Sequence, residues 1–365
     1  MSTAPTNKTA GDAAPDVPIE RWGLRLTDAL RAELRAGNFS GARGLAVEGD
    51  GQARSLAGEY TLMVRGLGIT IGVILGLLER SAREAPVGAG VPLQELRAML
   101  DRFRRGLDQR DPSVPAPPAA PSGALPGGIG PVEEPVEACV RAAADALARA
   151  SNAFLGEREA LAQRVVQAID QQDAQGALAL VDTAEQAGYL PLHDRLVRFM
   201  ADSFAWVLRH EGPAGLLRFH LDTAEGQRAG FDKWERSSAA AFAWTSAFLL
   251  KQHMGEVTVL EDDEKFTIEQ TPCGSGGRLL RDGAYEGAGA LPFVEAPGPL
   301  TIGRARLPVY CSHCPVWNGV APLRWYGRAH WVFADAARAD GGCTLHIYKR
   351  RDGTPDAYVA ALGES

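Results

Sequence analysis

The chain has 365 residues, a formal net charge of −7, 45% hydrophobic residues and 23% charged residues. This length exceeds one small core and predicts two or three domains of an ordinary globular protein. The acidic balance excludes a basic stripe for nucleic acid or an anionic membrane. Arginines interleave with acids, as in Arg80–Glu84 and Arg102–Asp111, and read as solvated helix surface.

Met1–Pro15 is rich in Ala, Thr, Pro and Asp and has no apolar stretch of the kind a secretory signal needs. Residues 1–18 are therefore expected to form a disordered tail, and the protein to be cytoplasmic. Residues 19–110 read as a first helical unit. Within it, Gly66–Leu78 is an apolar run of 13 residues, short of the ~20 that span a bilayer, and predicts a buried core helix. Gly68, Gly72 and Gly76 recur every four residues in it. Each costs a helix roughly 1 kcal/mol against Ala, so close approach by another helix is expected in return, with room for a ligand beside the helix as the alternative.

Residues 111–136 are loaded with Pro, Gly and Ala without periodicity and predict an extended linker. Residues 137–255 form a second helical unit that resembles the first at an offset of 135. Leu26, Leu30 and Leu34 fall on Leu161, Val165 and Ile169, and Asn38, Gly41, Ala42 and Leu45 fall on Asp173, Gly176, Ala177 and Leu180. Glu59 falls on Asp194. The pattern predicts a duplicated helical body in which Asn38 and Asp173 cap the second helix of each unit. Glu59 and Asp194 are either paired carboxylates of a pseudo-symmetric site or residues that neutralise helix starts.

Phe231–Met254 predicts one long helix stopped by Gly255. The alternation of Val257–Glu261 and Lys265–Gln270 about Asp262-Asp263 predicts a β-hairpin, with further strands at Arg306–Tyr310, His330–Phe333 and Cys343–Lys349. Residues 256–365 thus form a smaller, mainly β, cysteine-bearing domain, and the fold class is α+β.

Four of the five cysteines lie after position 270. An odd count without an export signal predicts reduced thiols. Cys311-Ser312-His313-Cys314 is a C-x2-C turn that can aim two sulfurs at one ion, and Cys273 and Cys343, both beside glycines, are the candidates to complete it. Zinc is the metal such a thiolate set favours. A reactive thiol without metal, or cysteines that are merely packed, are the alternatives, and Cys343 shares a strand face with the apolar Leu345 and Ile347. His313 lies between the paired cysteines and reads as a proton carrier. His253 and Glu256, three apart at the helix–hairpin border, form a second candidate acid–base or metal-bearing pair, the plainer alternative being a histidine that complements the dipole of a helix C-terminus. His346 points away from Cys343 and is a poor ligand, and His330 reads as a surface or satisfied histidine. Cys273–Arg278 does not match a phosphate loop. No nucleotide, flavin or haem is expected. Trp317, Trp325, Tyr326 and Trp331 wall a small-molecule pocket or form core. Cys139 reads as packing.

The order Pro-Cys273, Tyr-Cys311 in a C-x2-C setting, and Cys343 opening the strand C-T-L-H-I-Y-K resembles two bacterial groups over residues 256–365. These are the L-2-amino-thiazoline-4-carboxylic acid hydrolase-like proteins and the small-molecule-binding domains of the 4-vinyl reductase type. The first resemblance implies hydrolysis of a small heterocyclic or amide-like substrate, with Cys273, Cys311, Cys314 and Cys343 as the matching positions. The expectation is a metal- or thiol-dependent enzyme acting on a small organic molecule. The alternative is a zinc-stapled binding or sensor protein. Neither nucleic acid nor membrane is an expected partner, and a homo-oligomer is left open.

Overall fold

The computed structural model describes residues 16–49, 55–84, 90–108 and 135–364. Most of the 111–136 stretch and residues 1–15 of the tail lie outside them. The chain is α+β: a helical body followed by a smaller antiparallel sheet region.

The body begins with two helix corners of the same local build. Helix α1 (Leu26–Arg35) turns at Gly37, φ +73°, into α2 (Phe39–Val47), whose first turn is capped by the Asn38 side chain accepting from the Gly41 amide at 3.0 Å. Helix α5 (Val136–Asp170) turns at Gln172, φ +56°, into α6 (Ala174–Thr183), capped by Asp173 on Gly176 at 2.8 Å. A short polar side chain satisfies an otherwise free helix amide at each corner, as the sequence predicts. The two corners share an apolar core that includes Leu26, Leu30 and Leu34 on one side and Val165, Ile169 and Val181 on the other.

Between the corners lie α3 (Thr61–Glu84) and α4 (Gly90–Asp108). Helix α3 buries Val64, Ile71, Ile74 and Leu78 against the main core. Among the described residues, the segment containing it is the one helix apolar and long enough to cross a membrane, and half of its most apolar window is buried. Its glycines depart from expectation. A side chain at Gly68, Gly72 or Gly76 would meet nothing within 4 Å, so no helix approaches there.

Helix α7 (Leu190–Glu225) continues from a π-turn at Ala184–Tyr189 and breaks at Gly212, φ +69°, just before Pro213. Glycine supplies the left-handed conformation, and proline cannot donate to the turn before it. The single helix expected over Phe231–Met254 is two, α8 (Arg228–Arg236) and α9 (Ala239–Gln252), because Ser238 caps the second by accepting from Ala241 at 3.2 Å. At its far end Met254, not Gly255, takes the positive φ, +63°.

The predicted hairpin forms at the expected bounds, β1 (Val257–Glu261) and β2 (Lys265–Gln270). The four-stranded sheet runs β1-β2-β6-β5, all antiparallel, with β5 at Val332–Asp335 and β6 at Cys343–Tyr348. Arg306–Tyr310 contributes only Leu307–Pro308 (β4), paired with Phe293–Val294 (β3). One apolar core runs from α3, α4 and α7 through α9 into the sheet. It sets the inner faces of β2 and β6 against the helical body.

Candidate active site at the helix–sheet junction

Register brings the cysteines together. In the β2–β6 ladder Gln270 pairs with Cys343, which places Cys343 beside the chain that leads on to Cys273. The Cys273 amide then donates to the Gly341 carbonyl at 2.9 Å. Glycines allow this zipper to close. A Cβ at Gly277 would lie 1.9 Å from the Gly341 oxygen, and one at Gly274 would lie 1.9 Å from the His253 oxygen. The Gly-rich segment therefore serves close backbone approach. Arg278 is engaged as well, donating to the Gly274 carbonyl at 3.0 Å and pairing with Asp194 at 3.5 Å.

The other two thiols come from a helical run that opens with a tight turn at Tyr310–Ser312, continues through α10 (His313–Pro315) and a π-turn at Val316–Val320, and ends in α11 (Ala321–Tyr326). A Cβ at Gly276 would come within 2.7 Å of the Cys311 sulfur, so the loop after Cys273 lies directly on this turn. All four cysteines are free and half-buried.

Burial raises the Cys311 and Cys314 thiols well above their ordinary range, and the neighbouring cysteines raise them further: Cys343, Cys314 and Cys273 act on Cys311, and Cys273 and Cys343 act on Cys314. Burial followed by Cys273 pushes Cys343 up to about 12. Cys273 and its neighbours thus bear on Cys311, Cys314 and Cys343 and disfavour the ionisation of those three thiols. Among the described residues, no group of three or more Cys, His, Asp or Glu side chains stands where it could hold a metal ion.

His313 is buried and takes part directly. Its Nδ1 is hydrogen-bonded to the Tyr310 carbonyl, which can only accept, so Nδ1 carries the proton. Its Nε2 is then a bare acceptor, 3.4 Å from the Cys314 sulfur. Burial holds the imidazole neutral, its pKa pulled down to about 4. The pair is a neutral thiol donating to a neutral imidazole that a backbone carbonyl orients. Trp317 packs on the His313 ring at 4.4 Å between centroids, and Phe204 from α7 closes another side at 5.7 Å. His220 of α7 is bonded through Nε2 to Ser312 Oγ at 2.9 Å, and its buried Nδ1 finds no partner among the described residues.

His253 also reaches this junction, but through neighbours invisible in the sequence. Its Nδ1 lies 2.8 Å from His193 Nε2, and His193 Nδ1 lies 2.8 Å from Asp194 Oδ1. Burial, then His193, His313 and Arg278, drive its pKa well down.

Glu256 does not join it. Its side chain is exposed, and the bonds in hand are those of its backbone, to Pro272 and Thr271. The structure likewise separates Glu59 from Asp194. Glu59 is fully buried and accepts from the amides of Leu26 and Thr27 at 2.8 and 3.0 Å, neutralising the start of α1, whereas Asp194 lies inside α7 against His193. His346 faces away from the cysteines and bonds Thr267 at 3.1 Å. His330 is buried, paired with Glu235 at 3.1 Å. The aromatic cluster divides. Trp317 lies at the thiols, Trp331 is core bonded to Ser246 at 3.0 Å, and Trp325 and Tyr326 pack with Phe231. Cys139 packs against the main core from α5.

Comparison with known proteins found no matching family model, no matching curated protein and no matching solved structure.

Proposed function

We propose that the chain is a thiol-dependent enzyme that acts on a small organic molecule by hydrolysis, with Cys314 as nucleophile and His313 as its base. The observation that carries this reading is the oriented Cys314–His313–Tyr310 carbonyl arrangement. A thiol within reach of an unprotonated imidazole nitrogen, itself fixed by a third group, is the geometry of an activated nucleophile. The Cys314 sulfur attacks an electrophilic carbon of an amide-like or heterocyclic substrate while its proton passes to His313 Nε2. His313 returns that proton to the departing nitrogen or oxygen. It then takes one from water, which attacks the thioester and frees Cys314 as the acid is released. Because both partners rest neutral, the proton moves with the attack and not before it. Trp317 and Phe204 supply apolar walls for a small substrate.

The test uses 4-nitrophenyl acetate as a minimal acyl donor, followed by peptide mapping. Acetylation of Cys314 that is lost in Cys314→Ser and slowed in His313→Ala, but retained in Cys343→Ser, is expected. Absence of an adduct at Cys314 would overturn the reading.

A second reading, a zinc site, is favoured by the mutual approach of Cys273, Cys311, Cys314 and Cys343. Thiols that raise one another's pKa are relieved by a soft cation, which displaces their protons. Such a site requires the sulfurs to draw closer on binding. A closed shell of four sulfurs is structural, and would staple the domain of a small-molecule sensor. Elemental analysis of the purified protein distinguishes this reading: stoichiometric zinc lost in Cys273→Ser supports it.

The helical body that carries the site is read as a duplicated unit. The matching corners at Asn38 and Asp173 support this, as does their shared core. We place the protein in the cytoplasm, where thiols stay reduced.

A further inference from the structure

Acceptors fix the protons of two histidines, the buried His193 and the half-buried His253. The Asp194 carboxylate can only accept, so His193 carries its proton on Nδ1, 2.8 Å away. Its Nε2 is then a lone pair and can accept only from His253 Nδ1, at 2.8 Å. His253 is left with a bare Nε2. The chain of contacts starts beside the thiol junction, passes through a histidine with no exposed surface, and ends on a carboxylate whose side chain is 39% exposed. Charged and titratable groups around it are few. His253 faces His193, His313 and Arg278, while His193 faces Asp194 and Arg278 and lies against the Tyr189 ring. Arg278 also holds Asp194 in place at 3.5 Å.

We propose that Asp194, His193 and His253 form a proton relay that sets His253 Nε2 as a second proton acceptor of the thiol pocket. A proton arriving on Nε2 releases the Nδ1 proton of His253 to His193 Nε2. The Nδ1 proton of His193 then moves to Asp194, where solvent can take it or the path can run backwards. One proton enters, one leaves, and no redox partner is involved. Asp194 and His193 are positioning residues. The functional meaning of the relay rests on the pocket being the site of reaction, as proposed above, whereas its wiring is independent of that reading.

The wiring is tested on the full chain by long-range nitrogen–proton NMR of the imidazoles, with carbethoxylation by diethyl pyrocarbonate, which attacks only an unprotonated ring nitrogen. In the native protein both His193 and His253 are expected in the Nδ1–H form. Asp194→Ala removes the acceptor that fixes them. Both rings should then become tautomer mixtures, and carbethoxylation of His253 should fall by roughly twofold. The rate at His210, which lies on the same helix as His193 and bonds Glu95 of α4, should not change and reports an intact fold. A proton on His253 Nε2 in the native protein, or an unchanged His253 tautomer in Asp194→Ala, would overturn the relay. Failure of Cys314 to acylate would sink the hydrolase reading and leave these signals as they are.

Discussion

Two of the polar clusters buried among the described residues are built on opposite principles. In the helical body, Glu185 is nearly inaccessible and is ringed by donors: Thr27 Oγ1 at 2.5 Å, the Tyr60 hydroxyl and the Arg31 guanidinium. Burial works against its ionisation, yet the bonds from Arg31, Thr27 and Tyr60 outweigh it and hold the carboxyl below its usual range. At the junction, by contrast, the Cys311 and Cys314 thiols and the His313 imidazole rest neutral, and His220 Nδ1 has no partner among the described residues. Saturated, charged polarity specifies a fold, whereas neutral groups with lone pairs to spare are free to exchange protons. Evidence for chemistry is therefore stronger at the junction, although the first cluster holds more charge.

The largest expected effect breaks the first cluster. Glu185→Ala leaves the Arg31 charge and the Tyr60 and Thr27 hydroxyls without their acceptor, and should cost about 3–5 kcal/mol in denaturant unfolding. A loss below about 1 kcal/mol would show that water replaces the carboxylate, and the contrast between the clusters would fail.

Glu59 sharpens the same contrast through pH. Burial raises its pKa to about 7, against an ordinary 4.5, despite Arg158, Lys251 and its backbone donors. Between those values the folded state holds more protons than the unfolded one, so stability should decline as pH rises from about 4.5 to about 7 and level off above. The amplitude is on the order of 3 kcal/mol. Glu59→Gln should flatten this slope while weakening the start of α1, because Leu26 and Thr27 donate to different carboxylate oxygens and the amide replaces one of these with a donor NH2. A slope unchanged in the variant would assign the effect to another group.

How much of this was legible follows from what each feature depends on. The caps at Asn38 and Asp173, the β1–β2 hairpin and the break into β-rich sequence are local, and local residues announce them. The approach of Cys273 to Cys343 was foreseeable only as a wager, because it depends on the register of β2 against β6. His193 could not be found from sequence. It lies 60 residues from His253, and only the packing of α7 against the end of α9 makes them neighbours. Glu256 was misplaced for the converse reason: three positions from His253, it lies beyond the helix end, where the backbone reverses at Met254 and turns its side chain to solvent. Spacing along a helix carries no information past its last turn.

At the junction the expected effect on stability is smaller. Cys314→Ser keeps the size and the hydrogen bond toward His313, and should shift unfolding by no more than about 1 kcal/mol. A neutral pair contributes little to holding the fold, so thiol-directed acylation should vanish while the melting curve hardly moves. A collapse in stability would instead mark the thiols as structural and favour the stapled-domain reading.

The smallest effect concerns α3, where the sequence predicted a close helix contact and the structure has none. With nothing within 4 Å of a side chain at Gly72 or Gly76, and with Ile69 and Leu62 exposed nearby, alanine at either glycine meets no obstacle. It removes backbone freedom from the unfolded chain and should stabilise by about 0.5–1 kcal/mol per site. Residues 72 and 76 are neighbours one helical turn apart, so Gly72→Ala/Gly76→Ala compared with the two single variants measures their coupling. If the double variant is instead destabilised at high protein concentration and stabilised on dilution, a second molecule must be seated on that face, and the glycines would owe their place to it.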